Sequence, residues 1–180
     1  MEKKLIPQAI EKQRVILNSK EAKIHYLGVK MMAWFPLSFG FLILWGLAKG
    51  NSFSDLSTII NGFFGFLLFT MLMLWNQWNR LSFKTTTTTL PRKEINLIIQ
   101  NVARDLDWRV TVNKKNLVRA YTYPSFFSGS WGEMITILFH EDQVMINSIC
   151  NPKKQTSMSA AGRNRKNEQR FLKAIRKNNY

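Results

Sequence analysis

Residue types that serve as nucleophile, acid and base in hydrolases stand near one another in the last third of the chain: Ser130, Glu133 and His140. A nucleophile and its base must lie within hydrogen-bond reach. Residues 134–140 have the composition of a strand, and ten strand residues span about 33 Å, which keeps Ser130 far from His140. We therefore favour a structural role for Glu133, as a cap or a partner of a basic side chain, over hydrolytic chemistry.

The single cysteine, Cys150, is the other candidate nucleophile. A hairpin turning at Glu141 and Asp142 places Cys150 opposite residue 133 or 134 and away from His140. A lone cysteine at a strand end is usually a small buried apolar side chain. The two histidines, His25 and His140, are too far from each other and from Cys150 to give metal-ligand spacing. We expect no catalytic residue, no metal and no cofactor.

Positive charge is the strongest chemical signal in the sequence, with a formal net charge of +15. The last 28 residues hold a basic cluster that we expect to bind anionic lipid or a partner protein, formed by Lys153, Lys154, Arg163, Arg165, Lys166, Arg170, Lys173, Arg176 and Lys177. Charge that merely sets topology and solubility is the simpler interpretation. Nucleic acid is a less favoured partner, because few aromatic residues are interleaved with the basic ones.

A polar ligand pocket is a further candidate site. It would be formed by Trp131, Glu133, Asn147 and Asn164. Asparagine side chains also satisfy the backbone at turns and helix starts, and this structural role is the favoured one.

Two uncharged segments determine where the candidate residues described above are placed. Residues 31–48 lie between Lys30 and Lys49, and residues 56–79 lie between Asp55 and Arg80. At about 1.5 Å per residue, each is long enough as a helix to cross a hydrocarbon core of roughly 30 Å. The sequence therefore predicts a membrane protein with a two-helix transmembrane hairpin. Neither segment contains Asp, Glu, Lys, Arg or His, which disfavours transport by one hairpin.

Charge asymmetry predicts the topology of this hairpin. The first 30 residues carry seven Lys and Arg against three acids, and residues 80–180 carry eighteen against seven. Positive residues near span ends stay in the cytoplasm. We expect a multi-pass membrane protein with both termini cytoplasmic.

The flanks divide into three predicted regions around the hairpin of residues 30–80. Residues 1–29 form a cytoplasmic arm with a helical apolar stripe, which would lie on the membrane or pack on the protein's own domain: Ile6, Ala9, Ile10, Gln13, Ile16 and Leu17. Residues 81–90 form a Thr-rich linker, although a short strand there is an alternative. Residues 91–180 form a basic α+β domain, ordered as helix, four-stranded antiparallel sheet, helix, with both helices on one face.

The C-terminal part resembles a small domain found in membrane proteins of Bacteroidota-type bacteria, where it is sometimes joined to rhomboid-family membrane regions. The residues that carry the resemblance are Ser130 to Glu133, Ile135 to Ile137, Ile146 to Pro152 and Gly162 to Asn167. The resemblance implies a compact cytoplasmic α+β domain with no assigned activity. Protease activity does not carry over, because the predicted spans hold no Gly-x-Ser-Gly serine and no histidine.

The resulting hypothesis is a non-enzymatic anchor, adaptor or accessory subunit of the bacterial inner (plasma) membrane whose basic domain binds a partner protein or an anionic lipid surface. Its partners would be membrane lipids and either another membrane protein or further copies of the chain. The alternatives are a small membrane-bound enzyme that uses Cys150 with Trp131, Gly132 and Glu133, and an oligomeric pore or effector.

Overall fold

The structure is a computed structural model, and it describes residues 5–123, 132–154 and 162–179. In chain order the elements are α1 (Ile6–Glu11), α2 (Ser19–His25), α3 (Leu27–Met32), α4 (Trp34–Ala48), α5 (Ser57–Arg80), β1 (Lys84–Thr87), α6 (Arg92–Asp105), β2 (Trp108–Lys114), β3 (Leu117–Thr122), β4 (Glu133–His140), β5 (Gln143–Cys150) and α7 (Arg163–Asn178). The chain divides into two compact units, one of residues 26–79 and one that combines residues 1–25 with 80–180.

The first unit is the apolar hairpin. Two of its segments, 27–48 and 57–80, are long and apolar enough to cross a membrane by length and composition. The rings of Phe35 and Phe39 both stack on Phe66, at centroid distances of 5.1 and 5.5 Å, and thereby join α4 to α5. A Cβ at Gly62 would lie 2.9 Å from the Phe39 ring, so the close approach of the two helices requires a glycine at this position.

The second unit is built on a five-stranded antiparallel sheet with the strand order β1-β5-β4-β3-β2. One face of this sheet is covered by α6 and α7, and we call it the helix side. Apolar residues at helical spacing on both helices, Ile95, Ile98, Ile99, Val102, Phe171, Leu172 and Ile175, pack against alternate residues of the strands, Val118, Ala120, Ile135, Ile137, Val144 and Ile146. The two predicted helices on one face of the sheet and the predicted hairpin are therefore confirmed.

The sequence predicted four strands, and the structure has five. The Thr-rich segment expected as a linker forms β1, an edge strand in which Lys84 pairs with Ile146 and Thr87 pairs with Gln143. Threonine suits this position because its branched side chain favours extended backbone and its hydroxyl tolerates the exposed edge.

The opposite face of the sheet is also buried, including Met134, Leu138, Met145 and Ile149. The N-terminal segment belongs to this unit: α1 contacts β4, and the Val15 N–H donates to the Leu81 carbonyl over 2.8 Å. The helical stripe predicted from Ile6 to Leu17 ends early, because α1 stops at Glu11 and Gln13 has a left-handed φ of 51°. Of the two roles expected for the arm, packing on the protein's own domain fits this arrangement.

Candidate functional site

One end of the sheet brings together the sequence-distant residues of the candidate site. Strand β3 ends there at Thr122, β5 ends at Cys150, and β4 begins at Glu133, which pairs with Cys150. The Asn151 N–H donates to the Gly132 carbonyl over 2.9 Å and thereby joins the end of β5 to the start of β4. Adjacent antiparallel strands run in opposite directions, so the end of one strand lies beside the start of the next. Residues that are far apart in the chain therefore meet at this end of the sheet.

Glu133 is the most buried acid at this end, with 1% of its surface exposed. The Thr122 hydroxyl donates to Glu133 Oε2, and the same hydroxyl accepts the Glu133 backbone N–H at 2.8 Å. A buried carboxylate is costly unless hydrogen bonds and opposite charge compensate it. Thr122 therefore has both a positioning and a stabilising role for Glu133.

A second group of buried hydrogen bonds lies beside the first. The Trp108 indole N–H donates to Asn167 Oδ1 at 3.2 Å, and Asn167 Nδ2 donates to the Ser148 hydroxyl at 3.0 Å. Ser148 Oγ in turn donates to Asn164 Oδ1 at 3.1 Å. This chain of bonds fixes the N-terminal half of α7 on the sheet, because it ties two helix residues to β2 and β5.

Three residues of these two groups, Thr122, Glu133 and Asn167, also line a cavity of about 480 Å³. The cavity is lined by Asp105, Leu106, Asp107, Thr122, Tyr123, Glu133, Arg163, Lys166 and Asn167. Thr122, Glu133 and Asn167 are buried and form the floor, whereas Asp105, Asp107, Tyr123 and Lys166 are exposed and form the rim. The volume falls within the usual range of small-molecule sites, about 300–1,000 Å³.

The charges of the cavity are mixed. Arg170, on the same helix as Arg163 and Lys166, forms an ion pair with Asp105 at 3.2 Å. Among the described residues the lining contains three acids, Asp105, Asp107 and Glu133, and two cations, Arg163 and Lys166. Within the described ranges, no group of three or more His, Cys, Asp and Glu side chains could hold a metal ion.

Glu168 lies on the sheet side of α7, close to the same strand end. Its Oε1 accepts the Ser148 backbone N–H at 2.9 Å, at a point of β5 that lies beyond the end of β1. Burial raises the pKa of the Glu168 carboxyl, and this effect is opposed by the Ser148 hydrogen bond and by the charge of Lys84.

The residues proposed for the polar pocket separate in the structure. Glu133 lines the cavity, while Asn164 bonds to Ser148 and is not among the lining residues. Asn147 is on the opposite face of the sheet, because it pairs with Thr136, three residues beyond Glu133 along β4. Trp131 lies outside the described residues.

The structure separates His140 from the other candidate catalytic residues but places Cys150 beside Glu133. His140 pairs with Gln143 at one end of the β4–β5 hairpin, and Cys150 pairs with Glu133 at the other end. Cys150 is 3% exposed, so its thiol is closed to solvent. Ser130 lies outside the described residues.

The predicted basic cluster divides into two groups. Six side chains, all exposed, form what we call the basic face of α7: Arg165, Lys166, Arg170, Lys173, Arg176 and Lys177. At about 100° per residue they share one side of the helix with the uncharged Gln169, opposite the buried Phe171 and Ile175. Apart from Arg170, no member of the basic face has a carboxylate partner among the described residues.

The remaining cluster residues lie near the cavity. Arg163 is part of its lining, and Lys153 and Lys154 are exposed after β5. Lys154 Nζ lies 4.6 Å from the centre of the Tyr123 ring, and the Arg109 guanidinium lies 4.9 Å from the same ring. The Tyr123 ring therefore makes cation–π contacts with two further cations at the rim of the cavity.

Sequence reasoning missed a polar row on the opposite face of the sheet. Arg119, Thr136 and Asn147 are cross-strand neighbours in the middle of β3, β4 and β5, and all three are buried. Arg119 Nε, Thr136 Oγ1 and Asn147 Oδ1 have no protein hydrogen-bond partner among the described residues. Asn147 Nδ2 donates to the carbonyls of Arg80 and Ser82, at 2.7 and 2.9 Å. The signal for this row was the presence of polar residues at matching positions of apolar strands.

Comparison with known proteins adds no family to these observations. No protein-family model, no curated protein and no solved structure matches the chain. The resemblance of the last part of the chain to a small bacterial membrane-protein domain therefore stays a prediction.

Proposed function

We propose that the protein is a two-span membrane anchor whose α+β domain binds the anionic lipid surface through the basic face of α7. It has no catalytic role in this proposal. The observation that carries it is the combination of two strongly apolar helices with an exposed helix face that presents six cations and no acid.

Exposed apolar side chains support the membrane part of the proposal. Trp34 is 71% exposed and Leu44 is 69% exposed, and only 11% and 6% of the apolar 18-residue windows of the two candidate spans is buried. The core helix of a water-soluble protein would instead bury such residues within the protein, because exposed apolar surface is costly in water. A lipid environment accounts for helices that are apolar around their whole circumference.

The arrangement of charge supports the lipid-binding part. Each Lys or Arg close to an anionic bilayer contributes about 1 kcal/mol, so several unpaired cations on one helix side give substantial attraction. Arg165, Lys166, Lys173, Arg176 and Lys177 are exposed and have no carboxylate partner among the described residues. The anchor and the basic face belong to one chain, so the domain is held near a bilayer at high effective concentration.

A membrane-extraction experiment tests the anchor. The full-length chain should stay in the membrane pellet after alkaline carbonate treatment, and a fluorescent reporter fused after Tyr180 should fold in the cytoplasm. Release by carbonate would contradict the anchor, and a reporter that is active exclusively in the periplasm would contradict the topology.

Cysteine accessibility tests the lipid contact. Cys150→Ala removes the native thiol, and Gln169→Cys then places one thiol within the basic face. The full-length variant is reconstituted in nanodiscs and modified with an uncharged maleimide. We expect modification to be severalfold slower in discs that contain phosphatidylglycerol than in discs of phosphatidylcholine alone, and the difference should vanish in high salt.

A matched control places the thiol at Gln143, an exposed glutamine at the turn end of the β4–β5 hairpin. Its modification should not depend on the lipid. Replacing Lys166, Lys173, Arg176 and Lys177 by Gln should abolish the lipid dependence at position 169. Equal rates at position 169 in both kinds of disc would rule out the lipid contact and leave a partner protein as the target of the basic face.

A further inference from the structure

The rim of the cavity at the end of the sheet carries more positive than negative charge. We propose that this cavity binds the phosphate monoester of a small, water-soluble polyol, such as a glycerol phosphate or a sugar phosphate. The phosphate lies at the rim, and the polyol extends toward the floor. This inference goes beyond the lipid contact of the basic face and does not rest on it, although Lys166 belongs to both surfaces.

Four cations lie at the rim. Arg163 and Lys166 line the cavity. The Arg109 guanidinium and the Lys154 ammonium lie 4.9 and 4.6 Å from the ring centre of Tyr123, which is a third lining residue. None of the four cations has a carboxylate partner within the described ranges. A guanidinium binds phosphate oxygens through paired N–H groups and an ammonium binds them as a point charge, so this rim favours an anion.

The acids of the lining do not cancel this charge. Asp105 is paired with a further cation, Arg170, at 3.2 Å. With Arg170 included, five cations stand against the three acids of the lining, an excess of two even when Glu133 is counted as fully charged. The neighbouring segments 124–131 and 155–161, which lie outside the described residues, contain no charged residue. A phosphate monoester, with about 1.5 to 2 negative charges at pH 7, suits this excess.

The first turn of α7 adds to the attraction. The helix begins after Gly162, which has a left-handed φ of 77° and supplies no side-chain cap, and its first turn contains no acid. The first N–H groups of a helix have no partner within the helix, and the helix dipole places partial positive charge there. Arg163 and Lys166 belong to this turn, so its backbone and its side chains both favour an anion.

The floor and the size of the cavity indicate the organic part of the ligand. The carboxyl group of Glu133 in the floor disfavours an anion at that depth, which places the phosphate at the rim. The volume of about 480 Å³ exceeds the space that one phosphate group fills and leaves room for a short organic group. Leu106 is the one purely apolar side chain among the described lining residues, so a hydroxylated group suits the cavity better than an acyl chain.

Titration with three small probes tests the proposal. The full-length protein in a mild detergent, at neutral pH and constant ionic strength, is titrated by calorimetry with glycerol 3-phosphate, inorganic phosphate and glycerophosphoglycerol. We expect glycerol 3-phosphate to bind at least tenfold more tightly than glycerophosphoglycerol, a diester with a single charge, and severalfold more tightly than inorganic phosphate, which lacks the polyol. Equal affinities for the three probes, or no binding of glycerol 3-phosphate and inorganic phosphate, would overturn the proposal.

Variants that remove one charge locate the phosphate. Arg163→Gln and Lys166→Gln should each weaken glycerol 3-phosphate binding at least tenfold, because each removes charge-assisted hydrogen bonds. Asp107→Asn should strengthen binding severalfold, because it removes a negative charge from the rim, and Asn accepts the φ of 53° at this exposed position. Lys173→Gln is the matched control on α7 outside the cavity and should leave the affinity unchanged. Equal effects of Lys166→Gln and Lys173→Gln would overturn the site.

Two measurements separate this site from the lipid contact. Glycerol 3-phosphate affinity is compared in nanodiscs that contain phosphatidic acid, a lipid phosphate monoester, and in nanodiscs of matched charge that contain phosphatidylglycerol. We expect equal affinities, and weaker binding only with phosphatidic acid would overturn the water-soluble ligand in favour of a lipid headgroup. Arg163 lies outside the basic face, so Arg163→Gln should leave the lipid dependence of thiol modification at position 169 unchanged. The cavity and the lipid contact can therefore fail independently.

Discussion

The two faces of the sheet differ in whether their buried polar atoms have hydrogen-bond partners in the protein. On the helix side, Thr122 and Asn167 each have protein partners, and their bonds end at a cavity. On the opposite face, Arg119, Thr136 and Asn147 form a row across the middle of three strands, and one buried atom of each has no protein partner among the described residues. Satisfied polar groups at a strand end indicate a prepared site, whereas we expect a buried polar atom without a protein partner to lower stability.

Removal of the Thr122 hydroxyl, on the helix side of the sheet, is the strongest test of this difference between the two faces. Thr122→Val removes the donor to Glu133 Oε2 and the acceptor of the Glu133 N–H, so a buried carboxylate and a buried amide each lose a bond. We expect the free energy of unfolding to fall by about 3 kcal/mol. Maleimide modification of Cys150 in the detergent-solubilised full-length chain measures it across a denaturant series, because the native thiol is buried.

Thr122→Ser, which keeps the hydroxyl, is the matched control and should retain most of the stability. A loss of stability as large in Thr122→Ser as in Thr122→Val would show that the methyl group, and not the hydrogen bonds, is what matters at this position.

The second-largest effect is expected at Asn147 on the opposite face, whose side-chain amide is only partly hydrogen-bonded. Asn147→Leu leaves the carbonyls of Arg80 and Ser82 without the donor that they share, while relieving the unpaired Oδ1. The net effect should be a loss of about 2 kcal/mol, measured by the same thiol modification. Asn178→Leu is the control, since Asn178 is exposed and bonds within its own helix, and it should stay within about 0.5 kcal/mol of the wild type. A stabilised Asn147→Leu protein would contradict the anchoring role of this side chain.

Removing the hydroxyl in the middle of the row should have the opposite sign. Thr136 is fully buried, and its Oγ1 has no protein partner among the described residues. Thr136→Val keeps the shape and removes the polar atom, so we expect stability to rise by about 1 kcal/mol. The same substitution at Thr122 is predicted to destabilise, which makes the pair a direct comparison of the two faces. A destabilised Thr136→Val protein would mean that the row is satisfied by bound water or a ligand.

The sequence predicted the helix-side architecture because its signals are local. Ile95, Ile98 and Ile99 on α6, and Phe171 and Ile175 on α7, repeat at helical spacing, and the structure buries all five in the core. The hairpin at Glu141 and Asp142 likewise follows from chemistry within a few residues, and Glu141 has a φ of 50° there.

Features that depend on distant pairing were not predictable in the same way. The fifth strand consists of Lys84 and three threonines whose partners lie about sixty residues later, so its polar sequence was compatible with a linker. Asp107 and Thr122 line the cavity with Glu133 because of strand register and helix ends, which no local pattern reveals. The early end of α1 depends on a left-handed residue, Gln13, within an otherwise continuous apolar stripe.

The smallest effect is a pH dependence at Glu168, on the helix side of the sheet. Burial raises the pKa of Glu168 above 4.5 in the folded protein. A carboxyl group with a raised folded pKa contributes stability that is fully present below the unfolded pKa and is lost as the pH rises through the folded value. Wild-type protein should therefore lose stability relative to Glu168→Gln as the pH increases from below 4.5, as measured by Cys150 modification under denaturant.

Lys84→Gln sharpens this last test. The charge of Lys84 opposes the effect of burial on Glu168, so its removal should raise the pKa of Glu168 further and extend the loss of stability to higher pH. The Ser148 N–H that Glu168 accepts is also available to a neutral glutamine oxygen, which separates the charge from the hydrogen bond. A stability difference between wild type and Glu168→Gln that is constant with pH would show that α7 is held on β5 by the hydrogen bond alone, with no cost from the buried charge.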